Sequence, residues 1–285
     1  MSKPVFLMLL SIAIFALGFS TNANAQIAPE CEGVVVPDDY DEELQQAFLQ
    51  NYFALAFSMT ALHGPTPFTR DDQGAAIALE VGAVPPLGCQ QRLVLGGIKT
   101  EDTNTTPVFP RPRLTVKLPP AGPIDSYVEV VLLPPVKTPL GTLLQVGTEI
   151  GAAHQFDFGL SIGARAHLSI IHVRAEIATP FEEGGAAFDD LLIASSLGAE
   201  ATFGYTPDFA PWVTPYFNVG MGDVSTLFLV GDNLAIVQNT REPWYGVTSS
   251  LGVQLLAWDH LLFALEGSAA FPLFATAKAK VGFQW

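Results

Sequence analysis

The chain has 285 residues, of which 49% are hydrophobic, and a formal net charge of −15 at pH 7. A surface this acidic repels the phosphate backbone, so we expect no nucleic-acid partner. Beyond the N-terminal region, no uninterrupted apolar run reaches the ~18 residues typical of a spanning helix. If the processed chain enters a membrane, it must therefore enter as β-strands.

The N-terminus has the pattern of an export signal. Lys3 precedes an apolar run over residues 5–19, and a small-x-small site follows at Ala23 and Ala25. We predict that residues 1–25 are a signal peptide cleaved after Ala25. The alternative is a single transmembrane anchor, but the run is shorter than the ~20 residues that such a helix needs. Cleavage removes Lys3 and no acid, which changes the net charge from −15 to −16.

Residues 26–72 form a separate N-terminal segment with one predicted helix, at about 41–62. Glu42 and Glu43 favour the start of that helix because they complement its dipole. Apolar residues follow at helical spacing: Leu44, Ala47, Phe48, Tyr52, Leu55, Met59 and Leu62. A second apolar edge at Leu49, Phe53 and Phe57 indicates that the helix packs against something, for which a barrel lumen is our candidate. The alternative is a membrane-surface helix, which the near absence of Lys and Arg disfavours.

Two cysteines remain after export, Cys31 and Cys89. An oxidising compartment favours a disulfide between them, with two unpaired thiols as the alternative. A helix that descends the lumen would let Cys31 meet Cys89 outside the cell and deliver the chain to the first strand at the periplasmic end.

From residue 73 onward the dominant pattern is alternation of apolar and polar positions. It is longest between Phe156 and Ser169, which exceeds the roughly nine to eleven residues of a tilted spanning strand. Ten segments share the pattern: 75–83, 113–118, 128–132, 144–152, 156–169, 191–205, 213–222, 245–255, 261–271 and 275–285. We predict an all-β fold in which residues 73–285 form a closed antiparallel transmembrane β-barrel of ten strands. If residues 92–98 and a neighbour also span, the count becomes twelve.

Two irregularities carry predictions of their own. After Ile170 the apolar phase reverses, which predicts a β-bulge where the strand leaves the lipid. Residues 231–233 read Gly-Asp-Asn and predict the tip of an external hairpin.

The lengths of the connections and the positions of aromatic residues predict how the barrel is oriented in the membrane. With the last strand running towards the periplasm, the predicted periplasmic links are short and most external links are long. Several aromatic residues then fall on the outward face at periplasmic strand ends, where an interfacial girdle belongs: Phe156, Phe158, Phe203, Tyr205, Phe283 and Trp285.

The last strand, closing on Phe283-Gln284-Trp285, resembles the aromatic-terminated final strand of bacterial outer-membrane proteins. That resemblance implies that the protein resides in the outer membrane and is surrounded by its lipid. It also implies that the barrel-assembly machinery recognises Phe283 and Trp285. A helical segment ahead of the barrel is also similar to the arrangement in FadL-type hydrophobic-compound transporters, whose N-terminal region forms a lumenal hatch. Those barrels have fourteen strands, so this chain departs from their pattern.

Charged residues on the inward face fall at similar heights. They are Glu80, Arg113, Glu129, Glu149, Arg165, Glu200, Glu266, Lys278 and Lys280. Lys278 is expected to face Glu266, and Lys280 to face Glu80 across the closing seam of the barrel. The layer is either a structural ion network or a constriction that selects solutes by charge.

Many inward positions are glycine, which predicts either space for an occupant of the lumen or relief of curvature. They are Gly82, Gly147, Gly151, Gly159, Gly163, Gly198, Gly204, Gly220, Gly222, Gly246, Gly252 and Gly282.

His167, Ser169 and Asp157 share the inward face and were weighed as a hydrolase site. No motif supports it, and residues two apart on a strand are ~6–7 Å apart, beyond a direct hydrogen bond. We expect no enzyme, cofactor or metal. The leading hypothesis is a passive channel or transporter for small solutes, including hydrophobic ones. The alternative is a structural or surface-interaction barrel that acts through its external loops.

Overall fold

A computed structural model describes residues 27–57, 62–68, 73–94, 96–101, 107–138, 141–175, 190–230, 235–239 and 243–285. The predicted signal peptide, residues 58–61 of the predicted helix and the hairpin tip at 231–233 lie outside these ranges. The helix within the described residues is α1 (Glu42–Phe57). Two short 3₁₀ turns accompany it, at Pro29–Cys31 and Cys89–Arg92.

The remaining elements are strands. In chain order they are β1 (Ala75–Ala83), β2 (Leu93–Val94), β3 (Lys99–Thr100), β4 (Val108–Lys117), β5 (Asp125–Thr138), β6 (Gly141–Gln155), β7 (Leu160–Ala175), β8 (Asp190–Tyr205), β9 (Val213–Val230), β10 (Ala235–Asn239), β11 (Trp244–Ala257), β12 (Leu261–Ala270) and β13 (Phe274–Gln284).

Ten strands close into an antiparallel barrel. The neighbours run β1-β4-β5-β6-β7-β8-β9-β11-β12-β13, and β13 pairs back with β1. β10 extends β9 as a hairpin arm, and β2 and β3 form a separate two-stranded sheet. The predicted all-β barrel and its count of ten are therefore confirmed, and the count of twelve is wrong because residues 92–98 contribute to that small sheet.

Alternation decides which face of each strand is buried. In β8, Leu197 is 56% exposed although apolar, whereas the carboxylate residue Glu200 is 6% exposed. Inward positions of the central barrel are polar and buried, and outward positions are apolar and exposed. This distribution is the reverse of a water-soluble sandwich and is the one a lipid-facing barrel shows.

The strand predicted from residue 156 begins later, at Leu160. Residues 156–159 form the turn after β6, where the N–H of Phe156 donates to Leu160 O and that of Gly159 to Phe156 O. Gly159 has φ +87°, which only glycine adopts freely, and a Cβ there would overlap the carbonyl oxygen of Thr206. The prediction of Gly159 as an inward wall residue is therefore wrong.

The bulge predicted after Ile170 is also wrong. β7 pairs with β6 and β8 in one continuous register throughout. Ile171 and Val173 are buried on the same inward side as Arg165 and His167. Only the polarity of the inward face changes, because the outer half of the lumen packs against α1 instead of polar groups.

The wall has a seam between β4 and β5 in its outer half. The two strands pair from Lys117 up to Arg113, which lies opposite Val131. Above that point residues 108–112 pair with β1 and residues 132–138 with β6, and no pair joins these two stretches, both of which the structure describes.

Proline explains the seam. The N–H of Lys117 points to β1, where it donates to Gly74 O, so the even-numbered N–H groups of β4 point to β5. Pro110 and Pro112 occupy two of those positions and have no N–H to donate. Continuing the register would set Pro110 opposite Pro134, which also lacks a donor. The sequence thus removes hydrogen bonds that would have joined the strands.

Candidate functional site: the lumen and its N-terminal segment

The N-terminal segment is attached outside the barrel by a disulfide. Cys31 and Cys89 are bonded, as predicted, with their Cα atoms 5.4 Å apart. Next to them Arg92 Nη1 lies 2.8 Å from Glu30 Oε1, and this hydrogen bond lowers the pKa of the Glu30 carboxyl. The link joins the start of the chain to the external connection between β1 and β4.

Helix α1 begins beside this attachment. Asp41 Oδ1 accepts hydrogen bonds from the N–H groups of Glu43 and Leu44, at 2.9 and 3.2 Å, and so caps the first turn. Glu42 Oε2 accepts from Gly96 N at 2.6 Å, and Gln45 Nε2 donates to Gln91 O at 2.6 Å. The N-terminal end of the helix is therefore fixed to the external loop.

The rest of α1 packs inside the outer half of the barrel. Its buried apolar residues, which include Leu49, Tyr52, Leu55 and Phe57, form one cluster with inward residues of the wall. The wall residues of that cluster include Phe109, Leu143, Ile171, Val173, Leu192, Ala194, Val224, Trp244, Ala270 and Phe274. Burial of this many large side chains makes the hydrophobic effect the main force that holds α1 in place.

A few hydrogen bonds orient the helix in the barrel. Thr226 Oγ1 donates to Gln50 Oε1 at 2.8 Å, and Asn51 Oδ1 accepts from the backbone N of Trp244 at 3.2 Å. At the C-terminal end, Gln145 Nε2 donates to Phe57 O at 2.6 Å. These bonds set the rotation of α1 against the wall.

Residues 62–68 continue inward through the middle of the lumen. Leu62 N donates to Glu80 Oε1 at 2.9 Å, and Phe68 packs with Ala76 and Tyr127. At the opposite end of the barrel from α1, Gly74 N donates to Trp285 O at 2.8 Å. The described parts of the N-terminal segment therefore follow the lumen from one end to the other. We call residues 42–57 and 62–68 the plug.

The nine predicted charged residues all face the lumen and are buried, with exposures between 1% and 6%. The structure adds Arg111, 1% exposed, so the layer holds five carboxylates and five basic groups. Equal numbers of opposite charges allow the layer to be neutral as a whole, which buried charges require.

Arginines bridge the carboxylates on one side of the layer. Arg113 bonds to Glu80 through Nε and to Glu129 through Nη1. Arg165 Nη2 lies 2.6 Å from Glu200 Oε2, and its Nη1 lies 3.9 Å from Glu149 Oε1. Each arginine therefore lies between two carboxylates on neighbouring strands.

Lysines complete the layer where the barrel closes. Lys278 Nζ is 2.9 Å from Glu266 Oε1, and Lys280 Nζ is 4.0 Å from Glu80 Oε1. Tyr216 hydroxyl donates to Glu266 Oε2 at 3.1 Å. Every predicted residue of the layer thus has a partner within it, which favours a structural network over a free constriction.

His63 connects the plug to the layer. It is fully buried, with Nδ1 2.6 Å from Gly64 O and Nε2 3.1 Å from Glu149 Oε1. Arg165 Nη1 and Asn218 Nδ2 approach His63 O, at 3.3 and 3.4 Å.

Four further residues of this site were not predicted from the sequence: Arg111, His63, Tyr127 and Tyr216. The strand was predicted to begin at Arg113, five residues after Val108, where β4 begins, so Arg111 was left out. Arg111 is two residues before Arg113 and therefore shares its inward face, which was the signal that could have found it. For His63 no local signal exists, because it lies in an irregular segment.

Two of the inward glycines, Gly151 and Gly252, receive aromatic side chains from neighbouring strands. A Cβ on Gly151 would overlap the Tyr127 ring, and a Cβ on Gly252 would overlap the Tyr216 ring. Tyr127 hydroxyl donates to Glu149 Oε1 at 2.9 Å from this position. The space left by these glycines therefore holds tyrosines that complete the charged layer.

Replacing Gly151 with alanine is expected to destabilise the barrel by about 1–3 kcal/mol, because the methyl group displaces Tyr127. Urea unfolding of the refolded protein in lipid vesicles measures the change in the free energy of unfolding. Gly267→Ala is the matched control, since nothing lies within 4 Å of a Cβ there. Equal stability of the two variants would contradict this role of Gly151.

The weighed hydrolase residues are not brought together. Asp157 lies in the turn before β7, whereas His167 lies on the strand beside Gly198.

In the described part of the chain, no group of three or more His, Cys, Asp or Glu residues has the geometry of a metal site. Within the same residues, no helix has the length and apolar character to cross a membrane.

The fold and site define the class as a closed ten-stranded β-barrel with an occupied lumen. No family model and no curated protein matches the chain. Among solved structures, the toluene transporter TodX of Pseudomonas putida is 11% identical with a TM-score of 0.37, covering 82% of this chain and 75% of that one. The β domain of the Bordetella autotransporter BrkA is 10% identical with a TM-score of 0.42, covering 75% and 99%.

The attachment protein Ail of Yersinia pestis is 10% identical, with a TM-score of 0.30 over 74% of this chain and 99% of that one. At such identities and TM-scores no function transfers between the proteins. The function has to be argued from the residues of this chain.

Proposed function

We propose that the chain is an outer-membrane barrel through which small solutes, including hydrophobic ones, pass, and that the plug is its gate. The observation that carries the proposal is the division of the lumen into two zones. The inner zone is a closed ion network, and the outer zone is an apolar wall filled by α1. An apolar wall serves no purpose in a water-filled pore but provides a binding surface for a helix or for an apolar solute.

Membrane insertion is supported by the outward face. Large apolar side chains such as Ile150, Leu168, Leu251 and Leu265 are exposed around the barrel. Contiguous apolar surface of this extent is unfavourable in water and stable in hydrocarbon. Tyr205, Phe283 and Trp285 are exposed near strand ends, as an interfacial girdle requires. The outer membrane is the bacterial compartment in which such barrels reside, and export would need the predicted signal peptide.

A gate must be able to move, and the contacts of α1 permit this. Most are apolar and non-directional, whereas the hydrogen bonds to the wall are few. A solute that covers the same apolar wall can replace the helix at low cost. The disulfide between Cys31 and Cys89 keeps a displaced segment attached to the barrel.

An engineered tether tests the gate. Gln50 and Thr226 touch across the plug and the wall through a long glutamine side chain. In the pair Gln50→Cys and Thr226→Cys a short cross-linker that joins both thiols through disulfide bonds bridges the remaining gap and holds α1 in place while oxidised. Liposome swelling with small solutes is expected to be slow for the oxidised pair and to recover on reduction. The two single-cysteine variants and the wild-type protein under the same reagents are the controls. Equal swelling rates in the oxidised and reduced pair would refute a moving plug.

The second candidate is a surface-interaction barrel. It is favoured by the uneven height of the wall: β9 has 18 residues and β7 and β8 have 16 each, whereas β12 has 10. The long strands project one side of the barrel outward, and β10 continues that projection. If the wild-type protein passes no solute in liposomes, and cells lacking it lose surface attachment but not uptake, this candidate replaces the transporter.

A further inference from the structure

A cavity of about 50 Å³ lies between α1 and the charged layer. Its polar lining includes His167, Ser196, Thr248 and Ser268, and its apolar lining includes Leu55, Trp244 and Phe274. The polar residues come from the wall, whereas Leu55 comes from the plug. The cavity therefore lies between the barrel wall and the proposed gate.

Two buried polar atoms at this cavity have no hydrogen-bond partner among the residues that the structure describes. They are Nδ1 of His167 and Nε1 of Trp244, and both residues are no more than 9% exposed. An unsatisfied buried polar atom is costly, so native proteins pair nearly all of them with protein, water or ligand. Since both residues line one cavity, an occupant of that cavity is the means by which they can be satisfied.

The position of His167 is built into the wall. A Cβ on Gly198 would overlap His167 Cε1 and lie 2.8 Å from Nε2, so the ring lies directly on the bare backbone of β8. A residue with a side chain at position 198 would exclude this placement. Glycine on β8 thus holds the imidazole at the edge of the cavity.

The charges around the cavity indicate a neutral occupant. The cavity has three charged lining residues. Glu200 already accepts two hydrogen bonds from Arg165, and Lys278 is 2.9 Å from Glu266. Asp223 shares the outward face of β9 with the exposed Met221. An ionic ligand would have to compete with these pairs in a buried site, which is unfavourable. The Trp244 indole N–H needs an acceptor, and oxygen in a hydroxyl or carbonyl group supplies one.

We infer that this cavity binds the oxygen-bearing end of a small neutral organic molecule, with one hydroxyl or carbonyl group on a compact apolar body. The oxygen is placed among His167, Trp244 and the neighbouring hydroxyls, and the apolar body extends towards Leu55. A volume of about 50 Å³ holds only a few water-sized groups, so the apolar body must displace the side chain of Leu55. That this molecule is a transported solute rests on the proposed function. Its binding can be measured without transport.

The test uses the full-length processed protein in detergent and fluorine NMR titration. The probes are 4-fluorophenol and fluorobenzene, which differ by the hydroxyl group, and protein-free micelles give the background from partition. His167→Phe removes the polar edge, and Leu55→Ala enlarges the apolar side. His172→Phe is the matched control, because His172 is on the same strand but on the opposite face.

We expect saturable binding of 4-fluorophenol to the wild type and to His172→Phe. Fluorobenzene should bind the wild type roughly tenfold more weakly, which is the loss of about one hydrogen bond. His167→Phe should remove the preference for the hydroxyl, and Leu55→Ala should strengthen the binding of 4-fluorophenol.

Equal binding of the two probes to the wild type, or an unchanged preference in His167→Phe, would overturn the inference and leave a water-filled cavity. So would unchanged affinity in Leu55→Ala. Failure of the tether experiment with intact 4-fluorophenol binding would instead reject the gate and retain the site.

Discussion

Replacing Arg165 with leucine is expected to lower the free energy of unfolding by about 3–5 kcal/mol, the cost of leaving buried charge without its partner. Arg165 is 3% exposed and bonds to Glu200 through two nitrogens. It also approaches Glu149 and His63 O. Its removal leaves two carboxylates in a water-poor layer with one cation fewer, so the charge balance of the lumen is lost.

Urea unfolding in lipid vesicles measures this change in the free energy of unfolding. The fraction of protein that stays folded on unheated gels gives a second measure. Arg174→Leu is the matched control, since Arg174 is on the same strand but exposed, and it should change stability by less than about 0.5 kcal/mol. A double replacement, Arg165→Leu with Glu200→Leu, should recover part of the loss because it removes a charge of each sign. Equal effects of the two single arginine variants would argue against a structural ion network.

Removing residues 26–72, with Cys89→Ser to avoid a free thiol, is expected to convert a silent protein into one that conducts ions in planar bilayers. The whole plug lies within this segment, so its removal leaves the wall residues of the lumen without their occupant. The wall itself should still close, because all ten barrel strands lie after residue 72.

A shorter truncation separates the two zones of the lumen. Removing residues 26–57 deletes α1 but keeps Leu62 and His63, which bond to Glu80 and Glu149 in the charged layer. This variant should remain silent if the inner zone is closed by residues 62–68. Currents of equal size in both truncations would show that α1 alone blocks the lumen. Silence in both would show that the charged layer closes the barrel by itself, as a purely structural network requires.

Together these variants address the two interpretations of the charged residues. In the structure the plug takes part in the layer, because Leu62 N reaches Glu80 and His63 reaches Glu149. A selective constriction would need charges free to meet a solute, whereas Glu200 and Glu266 are already bonded to Arg165 and Lys278, at 2.6 and 2.9 Å. In the structure the layer is therefore a bonded network that includes residues of the plug.

The barrel itself was determined by local sequence. Alternation of apolar and polar residues has a period of two, which assigns every side chain to one face without knowledge of distant contacts. For that reason the ten strands, the inward position of the charged residues and the pairing of Lys278 with Glu266 followed from counting residues. Even the seam between β4 and β5 has a local cause, since proline lacks the N–H that a ladder requires.

Tertiary structure decided what fills the lumen. The phase reversal after Ile170 looked like a bulge, yet Ile171 and Val173 face inward to cover α1. The glycines at 151 and 252 looked like open space, yet they receive Tyr127 and Tyr216. His63 joins the layer from an irregular segment. Each of these depends on a partner far away in sequence, and a periodic pattern records which face a residue occupies but not what it meets there.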